Sequence, residues 1–223
     1  MTRARLGVWP AVLAAFLLAI CSLAAAKAPE PAWTDDFSIA KADLASTGSN
    51  PYFILQPGYQ LVLKDREDTL TITVLNETKV VDGVETRVVE EKETVRGRVA
   101  EVSRNYFAIS KKNNTVFYFG EDTGGAWRAG VSGARAGVMM PGIALLGARY
   151  YQEVAPKVAM DRAEIVSISD TLMVPAGKFG KVLKIEETTP LEPGNKEYKY
   201  YAPGIGLLRD GGFVLVKHGY LTE

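Results

Sequence analysis

The chain has one cysteine, one histidine and no excess of charge of either sign. Each scarcity removes a class of chemistry. Cys21 alone cannot form an internal disulfide, a thiolate zinc site or an iron–sulfur cluster. His218 alone excludes His-rich metal centres and leaves any Ser–His–Asp triad dependent on one strand-end residue. Lys and Arg number 26 and Asp and Glu 26, so the cationic surplus that phosphate backbones require is missing and nucleic acid is not expected as a partner. No Gly-x-Ser-x-Gly elbow is present: Ser132 sits in Gly130-Val-Ser-Gly-Ala134, with the wrong spacing. No Asp-x-Asp-x-Asp-Gly calcium loop occurs, and Gly204-Ile-Gly206 is too short for a dinucleotide fingerprint. The sequence therefore assigns no catalytic residue, metal ligand or cofactor.

What is present begins with an address. Arg3 and Arg5 precede an uncharged stretch from Leu6 to Leu23, and Ala24-x-Ala26 comes after it. A positive start, an apolar run and a small-residue exit read as a secretory signal peptide over residues 1–26. Ile20 is too large to precede a lipid-acceptor cysteine, so Cys21 is expected to leave with the signal. Of 223 residues, 197 then remain, with 24 cations against 26 anions, because Arg3 and Arg5 are lost. The expected product is an exported, periplasmic or extracellular protein without cysteine, held together by its core alone. No later run is long enough for a spanning helix, so no stable membrane span is expected after cleavage.

Residues 27–50 read as a lead-in. Ala28-Pro-Glu-Pro-Ala32 is linker-like, and Asp35 or Asp36 is placed to cap a short helix over Phe37 to Leu44. Residues 51–223 read as one antiparallel β domain. Thr69-Leu-Thr-Ile-Thr-Val-Leu75 alternates strictly, with Leu70, Ile72 and Val74 on one face. Asp82-Gly83 between Val80-Val81 and Val84 signals a tight hairpin. Further strands are expected over Tyr59 to Leu63, Val95 to Val102, Tyr106 to Ser110, Val116 to Phe119, Tyr150 to Val154, Ala163 to Ser169, Val182 to Glu187, Glu197 to Tyr201, Leu207 to Arg209 and Phe213 to His218. The fold class is all-β: a strongly curved antiparallel sheet or half-barrel of about ten short strands. Ala202-Pro-Gly-Ile-Gly206 is expected to break a strand as a bulge or corner does. Gly120 to Ala148, with eight glycines, reads either as a functional loop such as a lid or as a missed element, its apolar part Val138 to Leu146 forming a strand or lying across a cavity mouth.

Carboxylates are frequent and carry little signal by themselves. Glu121-Asp122 in a glycine-rich stretch, and Glu153, Asp161 and Glu164, are the groups a hydrolase would have to use. The aromatics are more informative. Phe117-Tyr118-Phe119, Tyr150-Tyr151 and Tyr198-Lys-Tyr200-Tyr201 place rings on both faces of their strands, so some must meet a second apolar surface, a cavity or a partner. The expected ligand-binding residues are Tyr118, Trp127, Met139, Met140, Tyr151, Tyr198 and Tyr200.

Asn50-Pro-Tyr-Phe53, Asp82-Gly-Val-Glu-Thr-Arg-Val-Val89, Val116-Phe-Tyr-Phe-Gly-Glu-Asp122, Gly137-Val-Met-Met-Pro-Gly142, Val174-Pro-Ala-Gly-Lys-Phe179 and Tyr200-Tyr-Ala-Pro-Gly-Ile-Gly-Leu207 together resemble a group of exported bacterial β-rich proteins of unknown function. The resemblance spans roughly Asn50 to Leu208 and carries no catalytic residues with it. At the level of fold the chain is similar to the lipoprotein-carrier half-barrels (the LolA/LolB type), which implies a concave face that cradles acyl chains. The functional expectation is a non-enzymatic exported protein holding an apolar or amphipathic ligand, such as a lipid, in that face. The alternatives are an envelope structural or assembly protein that docks a protein partner, and a carboxylate-dependent hydrolase.

Overall fold

In the computed structural model residues 32–123 and 126–221 are described. The expected signal segment, Cys21 and the start of the lead-in lie outside them. Period-2 patterning dominates the chain beyond the lead-in. The strands are β1 (Leu44–Ala45), β2 (Gly48–Asn50), β3 (Phe53–Leu55), β4 (Tyr59–Asp65), β5 (Asp68–Val81), β6 (Val84–Val95), β7 (Arg98–Ser110), β8 (Val116–Glu121), β9 (Trp127–Arg128), β10 (Arg135–Met140), β11 (Arg149–Tyr151), β12 (Glu153–Val154), β13 (Arg162–Val174), β14 (Gly177–Thr188), β15 (Glu197–Ala202), β16 (Gly206–Asp210) and β17 (Phe213–Tyr220). No α-helix occurs among the described residues. One antiparallel sheet runs β11-β13-β14-β15-β16-β17-β4-β5-β6-β7-β8-β10-β12, with β1 joined to β7 and β9 to β8.

The sheet returns upon itself and is nearly closed. Only Gln152 separates β11 from β12, and the two pair with opposite ends of the path: β11 with β13, β12 with β10. The lead-in completes this seam. Thr34 N–H donates to the Arg149 carbonyl at 3.1 Å, and Tyr151 N–H donates to the Thr34 carbonyl at 2.8 Å. Opposite them Gly137 of β10 approaches so closely that a Cβ there would overlap the Gln152 carbonyl. Only glycine permits this backbone-on-backbone contact.

Three sequence expectations are corrected. The helix over Phe37 to Leu44 is absent apart from one 3₁₀ turn, Lys41–Asp43. Phe37 and Ile39 instead pack against the core from an extended chain, because alternate residues of a strand-like segment face the barrel. Arg87 fixes the next stretch from below: its Nε donates to the Ser46 carbonyl at 3.0 Å and an Nη to Thr47 Oγ1 at 2.7 Å. The strand expected over Val95 to Val102 is split by a hairpin turn at Arg96-Gly97 (φ +49° and +77°), matching the left-handed pair at Asp82-Gly83 (φ +49° and +74°). Arg at the first turn position hides the signal that Asp or Asn gives. Gly120 to Ala148 is wall rather than lid: β9 and β10 pair with β8, a turn joins them, and residues 141–148 loop out beyond β10. Strands not expected are β1 and β2 in the lead-in, β3 just after it, and β9 and β10 in the glycine-rich segment, while the strand expected over Tyr150 to Val154 is divided into β11 and β12. Ala202 to Gly206 is a hairpin turn between β15 and β16, with Ala202 opposite Gly206.

Candidate functional site

Alternation decides what faces the interior. On β14 and β15 it turns Leu183, Ile185 and Glu187 inward with Lys199 and Tyr201, and turns Lys184, Glu186, Tyr198 and Tyr200 outward. On β6 and β7 it aligns Val89, Glu91 and Glu93 with Asn105, Ser103 and Glu101. The interior is thus apolar towards one end and acidic towards the other. An apolar chamber of about 80 Å³ lies among Leu61, Val74, Val89, Phe107, Met139 and Tyr201, with Glu91, Lys199 and Asp210 at its polar boundary. Beyond that boundary opens a cleft of about 680 Å³, walled by Leu70, Glu91, Glu93, Glu101 and Ser103 on one side. Lys196, Glu197, Tyr198, Tyr200, Arg209, Asp210 and Phe213 form the other side. Its size falls within the ~300–1,000 Å³ usual for ligand pockets.

The charges in and around this cleft are unbalanced. Lys199 Nζ meets Glu187 at 2.9 Å and Asp210 at 3.6 Å. Burial opposes its charge, but Glu187 and Asp210 outweigh that and hold the ammonium well above its ordinary range. Glu93 and Glu101 stand directly opposite each other across β6 and β7, with no salt bridge to either among the described residues. The outer face shows the contrast. There the like-charged pair Glu164 and Glu186 is neutralised by Arg149 at 2.8 Å and Lys196 at 2.7 Å.

Near the seam, carboxylates crowd together. Burial, reinforced by Asp161 and Glu121, raises Glu153 to about 8. Burial likewise raises Glu91, Glu121 and Asp161. Gln152, at the seam, donates to Glu187 at 2.9 Å. Two buried donors, the Tyr150 hydroxyl beside Glu187 and Tyr201 and the Trp127 indole N–H, have no hydrogen-bond partner among the described residues.

The residues expected to bind ligand divide by face. Tyr118 is interior: its hydroxyl donates towards Asn105 and Glu121, and its ring stacks on Phe107 at 4.7 Å and meets Trp127 edge-on at 5.3 Å. Met139 lines the apolar chamber. Tyr198 and Tyr200 border the large cleft, but their rings lie against Lys184, which is 4.2 Å from the Tyr198 centroid. Tyr151 packs on Trp33 on the opposite face from Tyr150, and Met140 is fully buried. The aromatic surplus outside is thus matched largely by cations: Arg149 and Arg162 also cover Trp33.

Glu121, Glu153 and Asp161 do come together. Asp122 does not, being held by Tyr106 and Arg128, and Glu164 faces outward to Arg149. His218 is exposed on β17 near Phe179. Sequence reading missed Glu93, Glu101, Lys199 and Asp210, and saw Glu91 and Glu187 only as members of the adjacent carboxylate pairs Glu90-Glu91 and Glu186-Glu187. A partial signal existed in Val88-Val89-Glu90-Glu91, where an inward row of valine runs on into glutamate. No protein family, curated protein or solved structure matches this chain.

Proposed function

We propose that this protein is an exported, non-enzymatic binding protein that takes an amphipathic cation into the acidic mouth of its barrel. One observation carries the reading. Glu93 and Glu101 are held opposite each other in a ligand-sized cleft with no ion pair, although like charges directly across a strand pair are destabilising. A bound cation relieves that repulsion. Leu70 and Phe213 in the same walls favour a ligand with an apolar part, and the apolar chamber past Glu91 and Asp210 extends that path. The small size of that chamber favours a short apolar group over long acyl chains.

The test is calorimetric titration of the protein without residues 1–26, using benzyltrimethylammonium, spermidine and the uncharged benzyl alcohol. Saturable binding of the amphipathic cation, weakened in Glu91→Gln and Glu93→Gln, supports the proposal. Equal binding of the uncharged amphiphile, or no binding of either cation, overturns it.

A carboxylate-dependent hydrolase is the second reading. Glu153, raised to about 8 beside Asp161 and Glu121, is held in the protonated form that a general acid needs. Hydrolysis of a glycoside panel that is lost in Glu153→Gln and Asp161→Asn would favour it over the binding role.

A further inference from the structure

The loop joining β10 to β11 is an apolar protrusion with a rigid base. Ile143, Leu145 and Leu146 are 73%, 62% and 64% exposed, where side chains of this kind are ordinarily covered. They do not hang from slack chain. Asn50 Nδ2 donates to the Pro141 and Asn114 carbonyls, each at 2.9 Å, tying the loop to the neighbouring hairpin turn. Gly142 N–H donates to Thr115 Oγ1 at 3.1 Å. At the other end Gly147 N–H donates to the Ile165 carbonyl at 2.8 Å, and Ala148 N–H closes a turn onto the Leu145 carbonyl at 3.0 Å. The fold thus holds the three side chains outward.

The surrounding charge points to one kind of surface. Ala136 to Ala148 contains no charged residue. The hairpin stapled to the loop carries Lys111 and Lys112, both exposed. Asp43 pairs with Lys112, whereas among the described residues the Lys111 ammonium bonds a carbonyl and no carboxylate, so the base of the protrusion keeps positive charge. Met140 pairs with Val116, at the end of β8 remote from Glu121. The protrusion therefore sits at the end of the barrel opposite the acidic mouth. We infer that residues 141–148 insert into the interface of an anionic phospholipid bilayer, Ile143, Leu145 and Leu146 entering the acyl boundary while Lys111 and Lys112 meet headgroups. A convex apolar tip flanked by lysines suits a deformable anionic surface. Docked this way, the acidic mouth faces away from the membrane, and its cations are kept apart from the lipid charge.

The experiment is flotation of the protein without residues 1–26 with vesicles of phosphatidylcholine alone and of phosphatidylcholine mixed with phosphatidylglycerol. Wild type is expected to float with the mixed vesicles and to be released by salt. The triple variant Ile143→Ser, Leu145→Ser, Leu146→Ser is expected to lose at least about tenfold in partitioning, since affinity scales with inserted apolar area. Lys111→Gln with Lys112→Gln is expected to reduce binding to the mixed vesicles alone. An unchanged melting temperature shows that the variants are folded; if the triple variant is not, single serine substitutions replace it. No flotation of wild type, full flotation of the folded serine variants, or equal binding to both vesicle types overturns the inference. So does reversible self-association of wild type that the serine substitutions abolish, because the tip is then a protein contact. Cation binding at the mouth is read separately and is unaffected by these substitutions.

Discussion

At the scale of single residues, burial sets the behaviour of the interior. Glu153 is raised to about 8, whereas in the unfolded chain it titrates near ~4.3. The folded protein therefore binds more protons between those values, and stability falls as pH rises through them. Glu91, Glu121 and Asp161, also raised by burial, act in the same direction. Chemical denaturation from pH 5 to 8 is expected to show stability declining, by at most about 1.4 kcal/mol per pH unit for one proton. Glu153→Gln is expected to reduce that slope and leave the variant more stable than wild type at pH 8. An unchanged slope would mean that Glu153 ionises normally. The tyrosines offer a second contrast. The Tyr150 hydroxyl is buried without a partner among the described residues, so Tyr150→Phe is expected to raise stability by about 1 kcal/mol. Tyr118 donates to Asn105 and Glu121, so Tyr118→Phe is expected to lower it by about 1–2 kcal/mol. Urea midpoints of the two variants would move in opposite directions.

At the scale of elements, the seam and the long β6–β7 hairpin carry the consequences. Gly137 touches the main chain of Gln152, where no side chain can yield. Gly137→Ala is expected to cost about 1–3 kcal/mol by forcing β10 away from residues 149–154. Hydrogen exchange should then rise at the amides of β10 to β12 before it rises elsewhere. The hairpin presents the opposite case. Glu93 faces Glu101, so Glu93→Gln is expected to stabilise the unliganded protein by about 0.2–1 kcal/mol while weakening cation binding. A variant that loses both stability and binding would show that Glu93 is held by favourable contacts instead.

For the whole molecule, the two ends differ in chemistry: one gathers carboxylates around a cleft, the other presents an uncharged protrusion beside lysines. Cation affinity at the mouth is expected to rise with pH above the ordinary carboxylate range, as Glu91 loses its proton, and to fall with added salt. Titrations at pH 5 and pH 8 test this directly, and an affinity that does not change would separate binding from the buried carboxylates. Much of the fold was legible in advance. Thr69 to Leu75 and Asp82-Gly83 encode alternation and turn chemistry within a few residues, and both appear where expected. The site was less legible. Tyr118 and Met139 lie inside and Tyr198 and Tyr200 border the cleft at its rim, whereas Tyr151 packs on the outer face, because the face a residue takes depends on strand register.

Local chemistry explains what the sequence determined alone: an all-β chain, punctuated by turns, with one cysteine and one histidine and no metal or thiol motif. Hydrophobic period and turn residues act over neighbouring positions, so they can be read in order along the chain. Closure of the sheet, the opposition of Glu93 to Glu101, the gathering of Glu121, Glu153 and Asp161, and the outward fixing of residues 141–148 were decided by tertiary structure. Each joins residues separated in sequence. The bulges that shift register between strands, as between Tyr200 and Tyr201, leave no unambiguous local mark. A carboxylate's neighbours, and so its charge state, depend on that register and not on the residues beside it in the chain.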